Sequence, residues 1–312
     1  MFYYIDFASQ NQPQNSRISG RNSRKGGFRQ AKAMVIKMDE IKLIATDLDG
    51  TLLNTPGEIT PENLDAIHAL AQRGVLLVPA SGRSYSEMPE VLRSHPDIRY
   101  YLYSNGAAVM DSVTGENIIE MCIPKARSNR VLDLLFSMET HITYRHRGVC
   151  VADASQQTEE AYTYYNMWQR HRDVIEQFAV YEPDFKSRAY DADGVEMFAV
   201  YFHSEAEFEA CKTALSAMDG IGFASIAYCG LEIFSSDAGK GRALLALADK
   251  LGIAHEETAA VGDSDNDRSM ILAAGTGFVV SNANDALKAD ADEVICSNDE
   301  HAMRWILDHF IN

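Results

Sequence analysis

Two short acidic runs each follow an apolar stretch: Asp47-Leu48-Asp49-Gly50-Thr51-Leu52-Leu53 and Gly262-Asp263-Ser264-Asp265-Asn266-Asp267. Carboxylates gathered at close range repel one another and call for a cation, and for Asp47, Asp49 and Asp263 a hard divalent ion is the natural one. Mg2+ takes one or two carboxylates plus waters and a substrate phosphate. Ser81, in Ala80-Ser81-Gly82-Arg83, and Lys240, in Gly239-Lys240-Gly241, are donors suited to phosphate oxygens, the lysine as a point charge. A carboxylate nucleophile added to this set makes a site for phosphoryl transfer through an aspartyl phosphate. In extended chain the side chains of Asp47 and Asp49 point to one face, and Gly50 lets the backbone turn sharply behind them.

Each feature has a plainer reading when taken alone. Asp47 and Asp49 fit a solvated turn, Ser81 a helix cap, Gly82 a turn and Lys240 a surface lysine. The run at 263–267 also resembles the start of an EF-hand loop. It fails there, because Arg268 stands where that loop needs glycine and Ala274 where it needs glutamate. What favours chemistry is the elements that carry the residues. Lys42–Thr46 reads as a short buried strand. Thr60 offers an N-cap and Pro61 a first helical position, Leu64, Ile67 and Leu70 follow at helical spacing, and Gly74 ends the helix. Val75–Pro79 is a second buried strand leading into Ser81. This is a βαβ unit and predicts a doubly wound parallel sheet. The C-terminal third repeats the alternation, with a helix over Gly241–Leu251 and a strand over Thr258–Val261 leading into Gly262-Asp263. In such sheets ligands bind outside the carboxyl ends of the strands, so all four elements converge on one crevice.

The middle of the chain reads as a second α/β unit. A hairpin is expected over Ala107–Asp111 and Asn117–Cys122, then a helix over Ser128–Met138 and strands near His141–Tyr144 and Gly148–Val151. A polar helix over Glu159–Trp168, a strand over Val195–Phe202, a helix over Ala206–Met218 and strands over Gly222–Tyr228 and Leu231–Phe234 follow. From Ser81 to Lys240 there are 158 intervening residues, far beyond one crossover, against 22 from Lys240 to Asp263. The expected organisation is therefore a discontinuous core, 38–122 and 230–312, with an α/β insertion at 123–229. Within the insertion, Tyr144-Arg145-His146-Arg147-Gly148 is a basic, aromatic loop that fits either a solvated hairpin or a contact to an anionic substrate. Tyr162, Tyr164, Tyr165 and Trp168 fit either packing on a sheet or stacking on a ring.

The motifs DLDGTLL at 47–53, Ser81 in ASGR, Lys240 in KGRAL and GDSDNDRSM at 262–270 resemble, in order and spacing, the four motifs of the haloacid dehalogenase superfamily of phosphatases. Asn105-Gly106-Ala107, Leu231-Glu232-Ile233 and Ser297-Asn298-Asp299-Glu300 resemble its Cof-type branch, and the resemblance spans about 40–312. It implies a Rossmann-like core with an inserted α/β cap, and a Mg2+-dependent phosphatase of small phosphorylated metabolites such as sugar phosphates or phosphorylated cofactors. It implies Asp47 as nucleophile and metal ligand. Asp49 would be general acid and base, with its main-chain carbonyl on the metal. Ser81, Gly82, Lys240 and Asn266 would hold phosphate or substrate. Asp263 would be the metal carboxylate, and Asp267 would orient a metal-bound water or Lys240 from behind. The cap would close over the crevice and exclude water in the first step, then admit one for the second. A phosphomutase using the same aspartyl phosphate, or a non-catalytic metabolite-binding regulator, are the alternatives. Arg83 fits a substrate contact as well as a helix-face charge.

Composition sets the frame. The chain has 312 residues and a net charge of −17, which argues against nucleic-acid and anionic-membrane partners. Hydrophobic residues make up 46%, enough for a sizeable core, yet no run reaches membrane-spanning length. Five scattered cysteines form neither a disulfide framework nor a metal spacing and fit a reducing cytoplasm. Residues 1–37 carry seven basic side chains against one acid, a net of +6 that leaves −23 for the rest. They are expected to form a disordered extension, although an Arg- and Ser-bearing leader also resembles a transit peptide.

Overall fold

The computed structural model describes residues 41–311, so the extension expected at 1–37 lies outside the described residues. The core is a five-stranded parallel sheet in the order Glu293–Ile295, Thr276–Val280, Thr258–Gly262, Leu43–Thr46, Leu76–Pro79. Apart from the edge strand Glu293–Ile295 its strands are buried on both faces, and neighbouring residues point to opposite layers. Ile44 packs with Ile67, Leu70 and Ile306 of the helices Pro61–Gln72 and Ala302–Phe310. Leu43 and Ala45 pack with Leu244, Leu247 and Met270 of Lys240–Leu251 and Arg268–Ala273. This is the doubly wound α/β arrangement. Thr60 caps the first helix as its sequence position suggests, accepting from the Asn63 main-chain N–H. An isolated bridge from Ala80 to Leu102 extends the sheet into an antiparallel set, Tyr100–Tyr103, Ala108–Asp111 and Glu116–Glu120.

The second sheet has six strands: Ile221–Ala227, Gly230–Ser235, Met197–Phe202, Thr140–His146, Val149–Asp153 and Val180–Glu182. Gly230–Ser235 pairs with Met197–Phe202 in this sheet, in keeping with the reading of Leu231–Phe234 into the middle unit and not with the boundary expected at 230. An apolar strand does not announce which sheet it will join, and the chain returns to the core only through Ser236–Gly239. One face packs under Lys125–Leu135, Phe185–Asp191 and Glu205–Ser216. Part of the other face is covered by Glu159–Tyr164 and Gln169–Phe178. The polar helix expected over Glu159–Trp168 ends at Tyr164, and after Asn166 adopts φ 51° a second helix, not expected from sequence, begins at Gln169. The second was missed because its sequence, QRHRDVIEQF, is polar on average and its apolar stripe is only Val174, Ile175 and Phe178. Tyr162 and Tyr165 pack inward, while Tyr164 stacks on His203 at 3.9 Å between ring centroids. No helix among the described residues is long and apolar enough to cross a membrane.

His141 lies fully buried beneath that covered face, 6.0 Å from the rings of both Tyr162 and Tyr165, and neither ring nitrogen has a hydrogen-bond partner. Burial pushes its pKa down to about 4. The unfolded chain takes up this proton near pH 6.5, whereas the fold resists it until about pH 4. Stability is therefore undiminished above pH 6.5 and falls as pH drops through that window, by up to about 3 kcal/mol. Urea unfolding of the His141→Leu variant between pH 4.5 and 7.5 should show a shallower acid loss than the parent. Parallel curves would contradict the assignment.

Candidate active site

The four motifs meet at the carboxyl edge of the parallel sheet because three of them leave adjacent strands there. Thr46 is in register with Pro79 on one side and Val261 on the other, so Asp47, Ser81 and Asp263 all emerge just beyond. The Asp47 main-chain N–H donates to the Val261 carbonyl at 2.9 Å, carrying the pairing one residue further. Lys240 opens the helix Lys240–Leu251 and reaches in from below. Its Nζ donates to Asp47 Oδ1 at 2.6 Å and to Asp267 Oδ1 at 2.7 Å, with no exposed side-chain surface.

Asp267 is committed on both oxygens. Its Oδ2 accepts from the main-chain N–H groups of Asp263, at 3.0 Å, and Ser264, at 3.1 Å, which shapes the acidic loop. Thr51 Oγ1 donates to Asp263 Oδ1 at 3.3 Å. Gly50 faces the same carboxylate: its φ is +81°, and a Cβ there would sit 2.7 Å from Asp263 Oδ2. The closing Ser297-Asn298-Asp299-Glu300 run fastens the loop that follows the first motif. Asn298 Nδ2 donates to the Leu53 carbonyl, and Asp299 accepts from the Thr55 N–H and hydroxyl.

The electrostatics are unbalanced. Carboxylate oxygens of Asp47, Asp263 and Asp267 all lie within 4.8 Å of one another, with Lys240 as the cation among them. Burial, then the Asp267 charge, holds the Asp47 carboxyl well above its usual range even though Lys240 pulls the other way. Burial and then Asp267 push Asp263 up to about 7. Burial opposes the charge on Lys240, but Asp267 and Asp47 outweigh it and raise its pKa. Three acids around one ammonium leave a deficit of positive charge in a desolvated pocket, and oxygen donors of this kind fit a hard divalent cation.

The other expected residues are placed as follows. Ser81 is buried, its Oγ accepting from the Arg83 N–H at 3.2 Å. Asn266 Nδ2 lies 3.4 Å from Asn105 Oδ1, in the Asn105-Gly106 turn that packs on Gly239 and Lys240. Gly82 presents its carbonyl to Arg145 at 3.0 Å. Asp49 is held by Arg83, whose Nε and Nη2 reach its two oxygens at 2.9 and 2.7 Å. Arg83 is thus a partner of Asp49, which sequence reasoning left between a substrate contact and a surface charge. The stretch Tyr144–Gly148 ends a hairpin whose Arg147 is exposed, and through Arg145 and Gly148 it docks on the core segment that carries Ser81 and Arg83. Thr51, Asn105, Glu87 and Glu196 were not singled out as site residues. Only Thr51 and Asn105 had a signal, since both sit inside runs already noted.

These motifs agree with what the chain is similar to. The sequence profile of the haloacid dehalogenase-like hydrolases matches residues 44–307. Phosphatase YwpJ of Bacillus subtilis is 30% identical over 287 residues, covering 87% of this chain and 100% of that protein. The 5-amino-6-(5-phospho-D-ribitylamino)uracil phosphatase YwtE of the same organism is 27% identical, covering 87% of this chain and 99% of its own length. The crystal structure of TM0651 from Thermotoga maritima superposes with a TM-score of 0.73 over 86% of this chain and 97% of that one, at 24% identity. The protein is an enzyme of the haloacid dehalogenase-like hydrolase family, in the Cof-type branch its motifs resemble.

Proposed function

We propose that the protein is a Mg2+-dependent phosphomonoesterase that hydrolyses small phosphorylated metabolites through an aspartyl phosphate on Asp47. The observation that carries this reading is the Lys240 ammonium bridging Asp47 and Asp267 beside Asp263, at the carboxyl edge of the sheet. Asp47 Oδ attacks the phosphorus, and the ester P–O bond breaks. Asp49 gives its proton to the departing oxygen, so a neutral alcohol leaves. A water then attacks the same phosphorus, Asp49 takes one of its protons, and the acyl–phosphate bond breaks to return the Asp47 carboxylate and inorganic phosphate. Ser81, the Gly82 N–H, Lys240 and Asn266 hold the phosphoryl oxygens as charge spreads over them. Asp267 keeps Lys240 and the acidic loop in place. The carboxylates of Asp47 and Asp263 with the main-chain carbonyl of Asp49 would hold Mg2+, which supplies the positive charge the cluster lacks.

The named relatives support the substrate class. YwtE is a phosphatase of a phosphoribityl compound, and a 25% identical relative in Citrobacter koseri is an HMP-PP phosphatase. We place the reaction in the cytosol, where the five free thiols suit reducing surroundings. A panel of phosphorylated metabolites with Mg2+ tests the reading by released phosphate. No release from any member, or an isomer in place of free phosphate, would count against it. EDTA should abolish turnover and Mg2+ restore it. Independently of activity, Mg2+ should raise the melting temperature of the parent protein, because it binds the folded acid cluster and not the unfolded chain. An unchanged melting temperature at millimolar Mg2+ would oppose the metal assignment.

A further inference from the structure

We propose that the inserted unit carries a second ligand site, apart from the one at the edge of the parallel sheet, that takes a small organic cation: one aromatic ring bearing a primary ammonium on a short arm. The site is a cavity of about 260 Å3 at the end of the strand Thr140–His146 that points away from the core. This inference does not rest on the phosphatase reading and is tested separately from it.

The cavity forms where four element ends meet without filling the space between them. The helix Lys125–Leu135 gives way to Phe136, and residues 137–139 turn into the strand Thr140–His146. The helix Phe185–Asp191 begins beside them, and the strand Val149–Asp153 leaves for the turn Ala154–Gln156. Phe136, Ile142, Tyr165 and Phe185 give the walls, and Glu139 and Asp153 supply the charge. Thr143 is in register with Ala152, so Ile142 and Asp153 are the next pair across the two strands. The Gln156 amide donates to the Thr140 carbonyl at 3.3 Å and ties the turn to the strand. The opposite end of the strand meets the core, where Arg145 pairs with Glu87 at 3.0 Å and Glu196 accepts from Ser104 Oγ at 2.9 Å. Arg145 stands five positions beyond Thr140 in extended chain, about 17 Å away.

The chemistry of the lining selects the ligand. No lining residue is basic, and among the described residues neither Glu139 nor Asp153 takes part in an ion pair. Asp153 Oδ1 accepts from the Ser155 N–H at 2.8 Å and from its hydroxyl at 2.7 Å, which leaves Oδ2 without a partner among the described residues. Glu139 is exposed and takes the hydrogen bond of the Tyr164 hydroxyl. Lys186 lies with its Nζ 4.7 Å from the centroid of the Phe136 ring and pairs with neither acid, so one of these rings already receives an ammonium. Aromatic faces and carboxylates both attract a cation, more strongly where water is thinned out. An anionic ligand would meet two like charges, and a purely apolar one would cover Asp153 Oδ2 without pairing it. The volume lies just below the range of about 300–1,000 Å3 that holds drug-sized ligands, so the occupant is a single ring with a short arm.

Tyramine is the probe, titrated into the full chain and followed by ligand-detected NMR. Mg2+ and vanadate are present throughout, because the acids around Lys240 would also attract a cation. The expected result is one saturable site with a Kd of about 1 mM or tighter. 3-(4-Hydroxyphenyl)propionate carries a carboxylate in place of the ammonium on the same ring and arm, and should not bind. Asp153→Asn keeps the oxygen that Ser155 uses but removes the charge, and should weaken tyramine by about 10-fold or more. Met138→Trp fills the cavity from a half-buried lining position and should abolish binding with no change in charge. Melting curves check that both fold, and Glu139→Gln, at an exposed position, should weaken binding by about 3-fold and replaces Asp153→Asn if that variant does not fold. Absence of saturable binding, equal binding of the propionate, or an affinity for tyramine that the variants leave unchanged overturns the site. None of these outcomes bears on the phosphatase reading.

Discussion

Asp47→Asn should leave a folded protein whose turnover of any phosphate ester falls by at least about ten-thousandfold. The substitution is nearly isosteric, so packing against the strand end is kept. It removes the only side chain in the proposed sequence that bonds to phosphorus. The amide oxygen accepts a hydrogen bond from Lys240 but does not attack a phosphate monoester. Folding survives because Lys240 keeps Asp267 at 2.7 Å, and one of three mutually repelling acids has lost its charge. Thermal melts should stay within a few degrees of the parent, and vanadate should still protect the protein. Substantial residual turnover in a preparation free of parent enzyme would remove Asp47 from the nucleophile's role.

Lys240→Met should fail in a different way, losing stability as well as activity. Its ammonium is wholly buried between Asp47 and Asp267. Methionine fills much of the same volume but leaves both carboxylates, with Asp263 close by, without their cation. Breaking a buried pair from one side costs about 3–5 kcal/mol. Loss of a donor to the transferring phosphoryl group should reduce kcat by about 100-fold or more. Mg2+ should return part of the lost stability, since it supplies charge to the same cluster. Urea unfolding with and without Mg2+ measures both effects. A variant as stable as its parent in the absence of metal would mean that the acids are not held charged around Lys240.

The contrast between these residues and Arg145 shows where sequence is informative. Asp47, Ser81 and Asp263 each sit one or two residues past an apolar strand, and Lys240 opens a helix with a clear apolar stripe. Chain-local patterns therefore place all four at one edge of a parallel sheet. Asp267 was legible as a supporting residue because it lies four positions from Asp263, within one tight loop. The cap contacts have no such local signature. Glu87 and Arg145 are 58 residues apart, and Ser104 and Glu196 are 92 apart. Only tertiary packing selects those pairs. Arg145 could be noticed as a basic residue in an acidic body, but its partner could not. Gln169–Phe178 escaped for the opposite reason, since it is helical by context while its own sequence is polar. The charge balance also takes on a meaning: part of the −23 outside residues 1–37 is the acid cluster gathered around Lys240.

The central claim, a phosphoryl group carried on Asp47, is tested most directly by inorganic phosphate itself, which requires no knowledge of the physiological ester. Reversal of the second step forms the aspartyl phosphate from phosphate and expels water; hydrolysis then inserts a solvent oxygen. Phosphate labelled with 18O at all four positions should therefore lose label stepwise into ordinary water when incubated with the protein and Mg2+, and should keep it with the Asp47→Asn variant. Exchange that persists at the parent rate in Asp47→Asn, or a parent that hydrolyses p-nitrophenyl phosphate without exchanging phosphate oxygens, would contradict the account.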